Sequence, residues 1–550
     1  MIKKYWIELL VFLAIATVLL TCMSPQITWM NTDSDGAHYI LASKYMTTAH
    51  NTSAPLYLLL GRLFHFLPFG TDAWKMGLIS VIGTLIAVSF IYLIVRKLLS
   101  DNPKVRWYAI IASILYGSSA LVISQSTIIE TYPLVTGILL GAYYFILQKR
   151  WYMTSIFIGI GMAIHPLLSG LIWLIYFIAH KELRKWKPFL ITFSFALFYL
   201  YIPIVGIINP NEHMWNNTSI DGFFKGNFGT LFMLSGGLSM WDLPKRIIDT
   251  LLILGISLGL GLVLSIWQFA KTHRLRYELM WLMLIPTLYF TTNLSAETYV
   301  YLIMAVAFGS IVSAIALSKI RWQYAMATLL IALGLWGFNA NYLDIGRTLD
   351  PEMSAMKFYN EELSKIPDGE IYMGGGWTWA MVFLYNREEG RNIIPICTDT
   401  LPSNKYLDIL ESQGIKLTRY PDTSYITKEG SIAVSIAEQN EHVWISKVTK
   451  PEVYQYKIVP AKDNIDYIGR WIGQELTPSW QFKPSNPYKY ITGQLEVAEW
   501  HHILMSNKNA VFVIFCGLCG YTIFWIFTGG FKRKKKHEIR HKEKETTTTR

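Results

Sequence analysis

Charge is what this sequence has least of. Only 16% of its 550 residues are Asp, Glu, Lys or Arg, where a soluble globular chain carries roughly 25%. With 52% hydrophobic residues and a positive mean hydropathy, that deficit excludes an ordinary soluble domain. Many apolar runs approach the ~20 residues needed to cross a bilayer, so the fold class is a polytopic α-helical membrane protein. Cysteine is nearly as scarce: four residues give no metal or disulfide framework. Cys22, Cys516 and Cys519 lie in or beside apolar segments, and Cys397 stands alone in the soluble part. Cys516 and Cys519 spell C-x-x-C inside an apolar run, where packing explains them better than redox chemistry. A nucleotide site is also missing. "MGGGW", residues 373–377, is not followed by Lys-Ser/Thr and reads as a turn after a strand.

Aromatics, by contrast, are abundant: 20 Trp and 32 Tyr suit interfacial belts. Spans are expected near 5–23, 76–96, 107–125, 132–148, 152–165, 167–180, 188–208, 248–269, 278–292, 298–318, 322–341 and 509–530, twelve in all. The loops that would face the cytoplasm are short and basic: "RKLLSDNPKVR", "QKR", "HKELRKWK", "KTHRLRYE" and "SKIRW". Both termini then fall on the cytoplasmic side. The first segment, with two lysines before a long apolar run and no small-residue cleavage site, reads as a retained signal anchor. Of the net charge of +11, +6 lies in residues 532–550. A basic run directly after an apolar one is a cytoplasmic anchor near anionic lipid, so a nucleic-acid partner is not expected.

The outer side receives the long loops, about 24–75 and 209–246, and a segment of about 343–508. That segment alternates strand-like pieces, "GEIYMGGG", "RNIIPICTD" and "EHVWISKV", with a helix, "NKYLDILESQG". It is expected to form an extracytoplasmic α/β domain, ahead of a last transmembrane helix at 509–531.

Acids beside a hydrocarbon layer are costly without a role. In "NTDSDGAHYI" Asp33 and Asp35 either mark a solvated loop, serve as a general base, or ligate a divalent cation. His38 follows them. "HNTSAPLYLLLGRLFHFLPFG", from His50 onward with Arg62 and His65 on the polar side, suits an amphipathic helix in the interface. Glu130 in "STIIETYPL", His165 in "GMAIHPLLSG" and Glu297 in "NLSAETYVYL" are each unremarkable helix-end residues taken singly. Topology sends all three to the face that holds Asp33 and Asp35.

The run from Asp35 to Ser80 resembles the start of the transmembrane protein 260-like proteins, relatives of the protein O-mannosyltransferases. Their pattern is Asp-Ser-Gly-Glu, then His-Pro-Pro-Gly-x-Pro-Leu, then Leu-Gly-Arg-Leu-Phe and Leu-Pro-Phe-Gly. Asp35 stands for that Asp, His50 for the His, and Pro55 and Leu56 for the closing Pro-Leu. "IETYPL" is similar to the family's Ala-Glu-Val-Tyr-Ala-Leu, which matches Glu130 and Tyr132, and His165 falls at a His-His pair. "YLYIPIVGIINPNEHMW" resembles a Tyr-Leu-Pro-Leu run that leads to a Trp. Three departures stand out: His38 replaces the Glu, "NTS" replaces Pro-Pro-Gly after His50, and Asn217 stands where an Asp is expected.

The resemblance implies a C-type glycosyltransferase fold, with residues 1–342 as the transmembrane glycosyltransferase-like domain. It implies transfer of a hexose such as mannose from a polyprenyl phosphate to an acceptor hydroxyl, on protein Ser/Thr or a glycan. The site would lie on the outer or lumenal face of the plasma membrane or endoplasmic reticulum. Asp35 would then be the catalytic carboxylate and Asp33 the second, with His38, His50, Arg62, Glu130, Tyr132, His165 and Glu297 as substrate contacts. No cofactor is required, although Asp33 and Asp35 are the ligands if a divalent cation takes part. Two other classes share the plan: a flippase for lipid-linked glycans and a non-catalytic scaffold. The first should show internal repeats; the second should tolerate Asp35→Asn.

Overall fold

The computed structural model describes residues 2–28, 35–49, 54–208, 243–258, 261, 275–292, 300–329, 331–332, 354–401, 403–419, 428–446, 456–460 and 468–475. Expectations for Asp33, His50, Asn217, Glu297, Cys516, Cys519, the span at 509–530 and the basic tail lie outside these residues.

The chain opens with α1 (Ile2–Cys22), followed by two short helices, α2 (Gly36–Tyr45) and α3 (Pro55–His65). The bundle continues with α4 (Asp72–Leu98), α5 (Val105–Gly117), α6 (Ala120–Ser126), α7 (Tyr132–Leu147), α8 (Trp151–Ile164) and α9 (Pro166–Ala179). Next come α10 (Trp186–Ser194), α11 (Tyr201–Ile208), α12 (Leu243–Leu258), α13 (Leu275–Thr292) and α14 (Leu302–Leu317). The helices fall where the apolar runs place them, but many are shorter than a full crossing. Among the described residues three helical stretches, Tyr5–Cys22, Asp72–Leu98 and Trp186–Ile208, are long and apolar enough to span a membrane. A fourth results if α5 and α6, which meet at a 60° bend, count as one. Residues 117–119, Gly-Ser-Ser, occupy that bend, with Ser119 extended.

Close packing of α4 on α7 organises the bundle. Gly83 and Gly137 let the two backbones approach: a Cβ on Gly83 would lie 2.4 Å from the Cα of Leu134, and one on Gly137 2.6 Å from the Gly83 carbonyl oxygen. Without a hydrophobic drive between helices in lipid, such small-residue contacts are a main source of association. Leu190, Leu197, Leu200, Ile204 and Ile207 on the α10–α11 stretch are exposed, as a lipid-facing surface requires. The acid inside α1, Glu8, is neutralised by Arg106, whose Nη2 lies 2.6 Å away, and accepts from the Tyr92 hydroxyl at 2.8 Å.

Beyond the bundle lies an α/β unit: β1 (Ile371–Gly374), α15 (Gly376–Glu389), β2 (Ile394–Cys397), α16 (Asn404–Ser412), α17 (Lys428–Gln439), β3 (Val443–Ser446), β4 (Tyr456–Pro460) and β5 (Ile468–Glu475). The sheet order is β2-β1-β3-β5-β4. β1 pairs parallel with β2 and β3, whereas β5 runs antiparallel to β3 and β4. The three strands and the helix expected from the alternation are all present. "MGGGW" is the turn from β1 into α15, with Gly375 as its N-cap. An isolated bridge, Thr28 to Ser354, ties the segment after α1 to the chain just before this unit.

Candidate active site

α2 carries the first candidate. Asp35 is its N-cap residue and sits half-buried, with no side-chain capping bond to its own helix. Four residues on, one helical turn away, Tyr39 points inward and is almost wholly buried. Its hydroxyl is held well above the ordinary phenol range, first by burial and then by the negative charges of Asp35 and Glu130. Both carboxylates therefore act on one phenol. Tyr57 of α3 meets its ring edge-on at 5.0 Å.

Glu130 lies in the short connection between α6 and α7, buried. Ser80 of α4 fixes its backbone from both sides. The Ser80 Oγ donates to the Glu130 carbonyl at 2.8 Å and accepts from the Glu130 N–H at 3.0 Å. The carboxylate in turn accepts from the Thr131 N–H at 2.9 Å. Tyr132 begins α7, where Pro133 suits the first turn. Its ring packs 5.1 Å from His165 and 5.0 Å from Tyr301. His165 and Tyr301 complete the triangle at 5.8 Å.

His165 occupies the break between α8 and α9. Its Nδ1 accepts from the Leu168 N–H at 3.2 Å, which caps α9. An accepting Nδ1 leaves the proton of the neutral ring on Nε2, so that nitrogen is a donor. Asp35, Tyr39, Glu130, Tyr132, Tyr301 and His165 thus form one connected set from four separate parts of the chain.

Two other candidates sit elsewhere. His38 is buried, and its Nε2 lies 2.5 Å from the Gly376 carbonyl oxygen, with its ring edge-on to Trp379. A carbonyl only accepts, so Nε2 carries the proton. Arg62 donates to the Lys44 carbonyl and lies 5.7 Å from the Phe66 ring. The Tyr201 hydroxyl likewise donates to the Ala42 and Thr47 carbonyls, so both side chains hold backbone oxygens at or just past the end of α2. His65, set beside Arg62 on the expected polar side of α3, bridges Ser43 (Nε2 at 2.9 Å) and Asp72 (Nδ1 at 3.0 Å). That is the order of a hydrolytic triad, but Ser43 is wholly buried and hydrogen-bonded to the Tyr39 carbonyl, so these bonds hold α2, α3 and α4 together. Among the described residues no group of three or more His, Cys, Asp or Glu is placed to hold a metal ion.

Tyr39, Tyr301 and Ser80 were not legible as site residues. The one-turn spacing from Asp35 could have flagged Tyr39, and Tyr301 follows Glu297 closely; nothing in the sequence marks Ser80.

The site residues before α14 all fall in one matched segment. Residues 35–186 match the protein O-mannosyl-transferase TMEM260 N-terminal domain family. The resemblance read from Asp35, Glu130, Tyr132 and His165 is thereby supported by a second comparison. Among solved structures, ArnT from Cupriavidus metallidurans bound to undecaprenyl phosphate superposes with a TM-score of 0.53 at 12% identity, over 86% of this chain and 99% of that one. The same protein in the apo state gives 0.49 at 12% identity, over 87% and 100%. The archaeal oligosaccharyltransferase AglB from Archaeoglobus fulgidus, in complex with an inhibitory peptide and a dolichol-phosphate, gives 0.39 at 13%, over 81% and 70%. Likeness to the first of these shows the fold, that of a C-type membrane glycosyltransferase. Comparison with curated proteins finds no match.

Proposed function

We propose that the chain is an inverting membrane glycosyltransferase that moves a hexosyl group, such as mannosyl, from a polyprenyl phosphate to an acceptor hydroxyl on protein Ser/Thr. The observation that carries this reading is the joining of Asp35, Glu130 and His165 through Tyr39, Tyr132 and Tyr301, within and beside the matched segment. ArnT was captured with undecaprenyl phosphate and AglB with a dolichol-phosphate, which supports a lipid phosphate as the donor's leaving group.

The chemistry follows from charge. Asp35 takes the proton of the acceptor hydroxyl as its oxygen attacks the anomeric carbon. The bond from that carbon to the phosphate oxygen breaks through an oxocarbenium-like state, and the electron pair leaves on the lipid phosphate. That phosphate gains charge and needs donors, for which His165 Nε2 is the described candidate and His50 a further one. Glu130, anchored by Ser80, accepts from sugar hydroxyls, and the tyrosine rings offer faces for stacking. The α/β unit and this site lie on the outer or lumenal side. Asp33 is a helper or, with Asp35, the ligand pair of a divalent cation; no step above is routed through a cation.

The test is transfer from polyprenyl-phosphate mannose and, separately, glucose to a Ser/Thr peptide, with wild type and Asp35→Asn in lipid nanodiscs. Mannose transfer by wild type and a ~10²–10⁴-fold loss in the variant are expected, the usual weight of a general base. An Asp35→Asn protein with wild-type turnover overturns the assignment.

A further inference from the structure

Helix α2 is held by α3 and α4 through the bonds given above, and also by α15 of the α/β unit. In its first turn, His38 Nε2 donates to the carbonyl of Gly376, the first residue of α15, and the His38 ring packs against Trp379 one turn along. In its last turn, Lys44 Nζ pairs with Glu388 at 2.6 Å, and Arg387 lies 5.8 Å over the Tyr45 ring. Glu388 is held by the Tyr359 hydroxyl at 2.8 Å, and Lys44 is shared with Asp72 at 2.7 Å. A ten-residue helix gripped at His38 and again at Lys44, about 9 Å along its axis, resists both rotation and sliding on α15. Asp35 is the N-cap of that helix, so its position follows that of α2.

We infer that α15 of the α/β unit sets the position of Asp35, with His38 and Glu388 as positioning residues at the two ends of α2. The inference rests on the reading of Asp35 given above. It assigns the α/β unit a part in catalysis without its touching the sugar. It also accounts for His38 at the place where the related pattern has Glu: a carboxylate has no proton to give the Gly376 carbonyl.

The experiment uses the full chain in nanodiscs and compares wild type, His38→Ala, His38→Gln and Glu388→Gln. Hydrogen exchange is followed by mass spectrometry, and kcat and KM are measured with polyprenyl-phosphate mannose. Loss of one buried hydrogen bond should speed exchange of residues 36–45 about tenfold and leave the transmembrane helices unchanged. His38→Ala should lower kcat at least about tenfold with KM for the donor unchanged, since the interaction lost acts on placement of the base. Gln keeps an N–H donor, so His38→Gln should restore both readouts. Should His38→Ala fail to fold, Glu388→Gln tests the other end in the same way. The inference is overturned by unchanged exchange in residues 36–45, by a rise spread equally over the molecule, or by faster exchange with wild-type kcat. A raised KM at constant kcat also overturns it, because that marks His38 as a substrate contact. If wild type transfers from neither mannose nor glucose donor, the functional reading fails by itself and the exchange arm still decides the clamp.

Discussion

Gly83→Ala is the substitution whose consequence the packing defines most sharply. The added Cβ would stand 2.4 Å from both N and Cα of Leu134 and 2.7 Å from the carbonyl carbon of Pro133. These are backbone atoms, so no side chain can swing aside. Ordinary contact begins at 3.4 Å, so the first turn of α7 must withdraw by 1.0 Å, the difference between 3.4 and 2.4 Å. Overpacking of this kind costs roughly 1–3 kcal/mol. The turn that moves also carries Tyr132 and follows directly on Glu130 and Thr131. A ~1 Å misplacement of positioning groups costs on the order of 10²-fold in rate. Gly83→Ala should therefore lower both Tm and kcat for polyprenyl-phosphate mannose, the latter by about 100-fold. Gly170→Ala in α9 is the matched control: nothing lies within 4 Å of its added Cβ. Replacing an unconstrained helical glycine should stabilise by roughly 0.5–1 kcal/mol. Thermal unfolding and transfer, measured on all three proteins in the same nanodiscs, settle the matter. A Gly83→Ala protein with wild-type Tm and turnover refutes the α4–α7 packing argument.

Ser80→Ala leaves the N–H and the carbonyl of Glu130 without their shared partner, at a cost of about 1–3 kcal/mol for the buried groups. Tm and transfer should both fall, and a variant that loses neither means Glu130 is placed by something other than Ser80. The Lys44 link has a defined pH dependence. Burial pulls the ammonium pKa down, but Asp72 and Glu388 outweigh it and raise it above the ordinary lysine value. A raised folded pKa contributes stability in full below the unfolded value, near 10.4, and loses it as pH climbs through the folded value. The Tm gap between wild type and Lys44→Met should accordingly stay level from about pH 6 to about pH 9 and close only above about pH 10. A gap that widens with rising pH would contradict the ion pairs.

Local physics alone determined much of this protein. The charge deficit and apolar run lengths fixed a polytopic helical fold, since a bilayer admits no other open-ended solution for the backbone. Alternation in residues 370–446 was enough to place β1, β2, β3 and α16, because burial on a sheet or helix face leaves a period in the residues themselves. Asp35, Glu130, Tyr132 and His165 were nameable from their motifs. Their connection was not: it runs through Tyr39 and Tyr301, ordinary aromatics that acquire meaning only when α2, α7 and α14 meet. The same holds for Ser80, whose partner is 50 residues away. Arg62, named for chemistry that suits a phosphate, and His38, named as a substrate contact, donate to backbone carbonyls of α2 and α15. A donor's type is written in the sequence, but which acceptor it meets depends on contacts up to 338 residues apart, and only tertiary packing decides those.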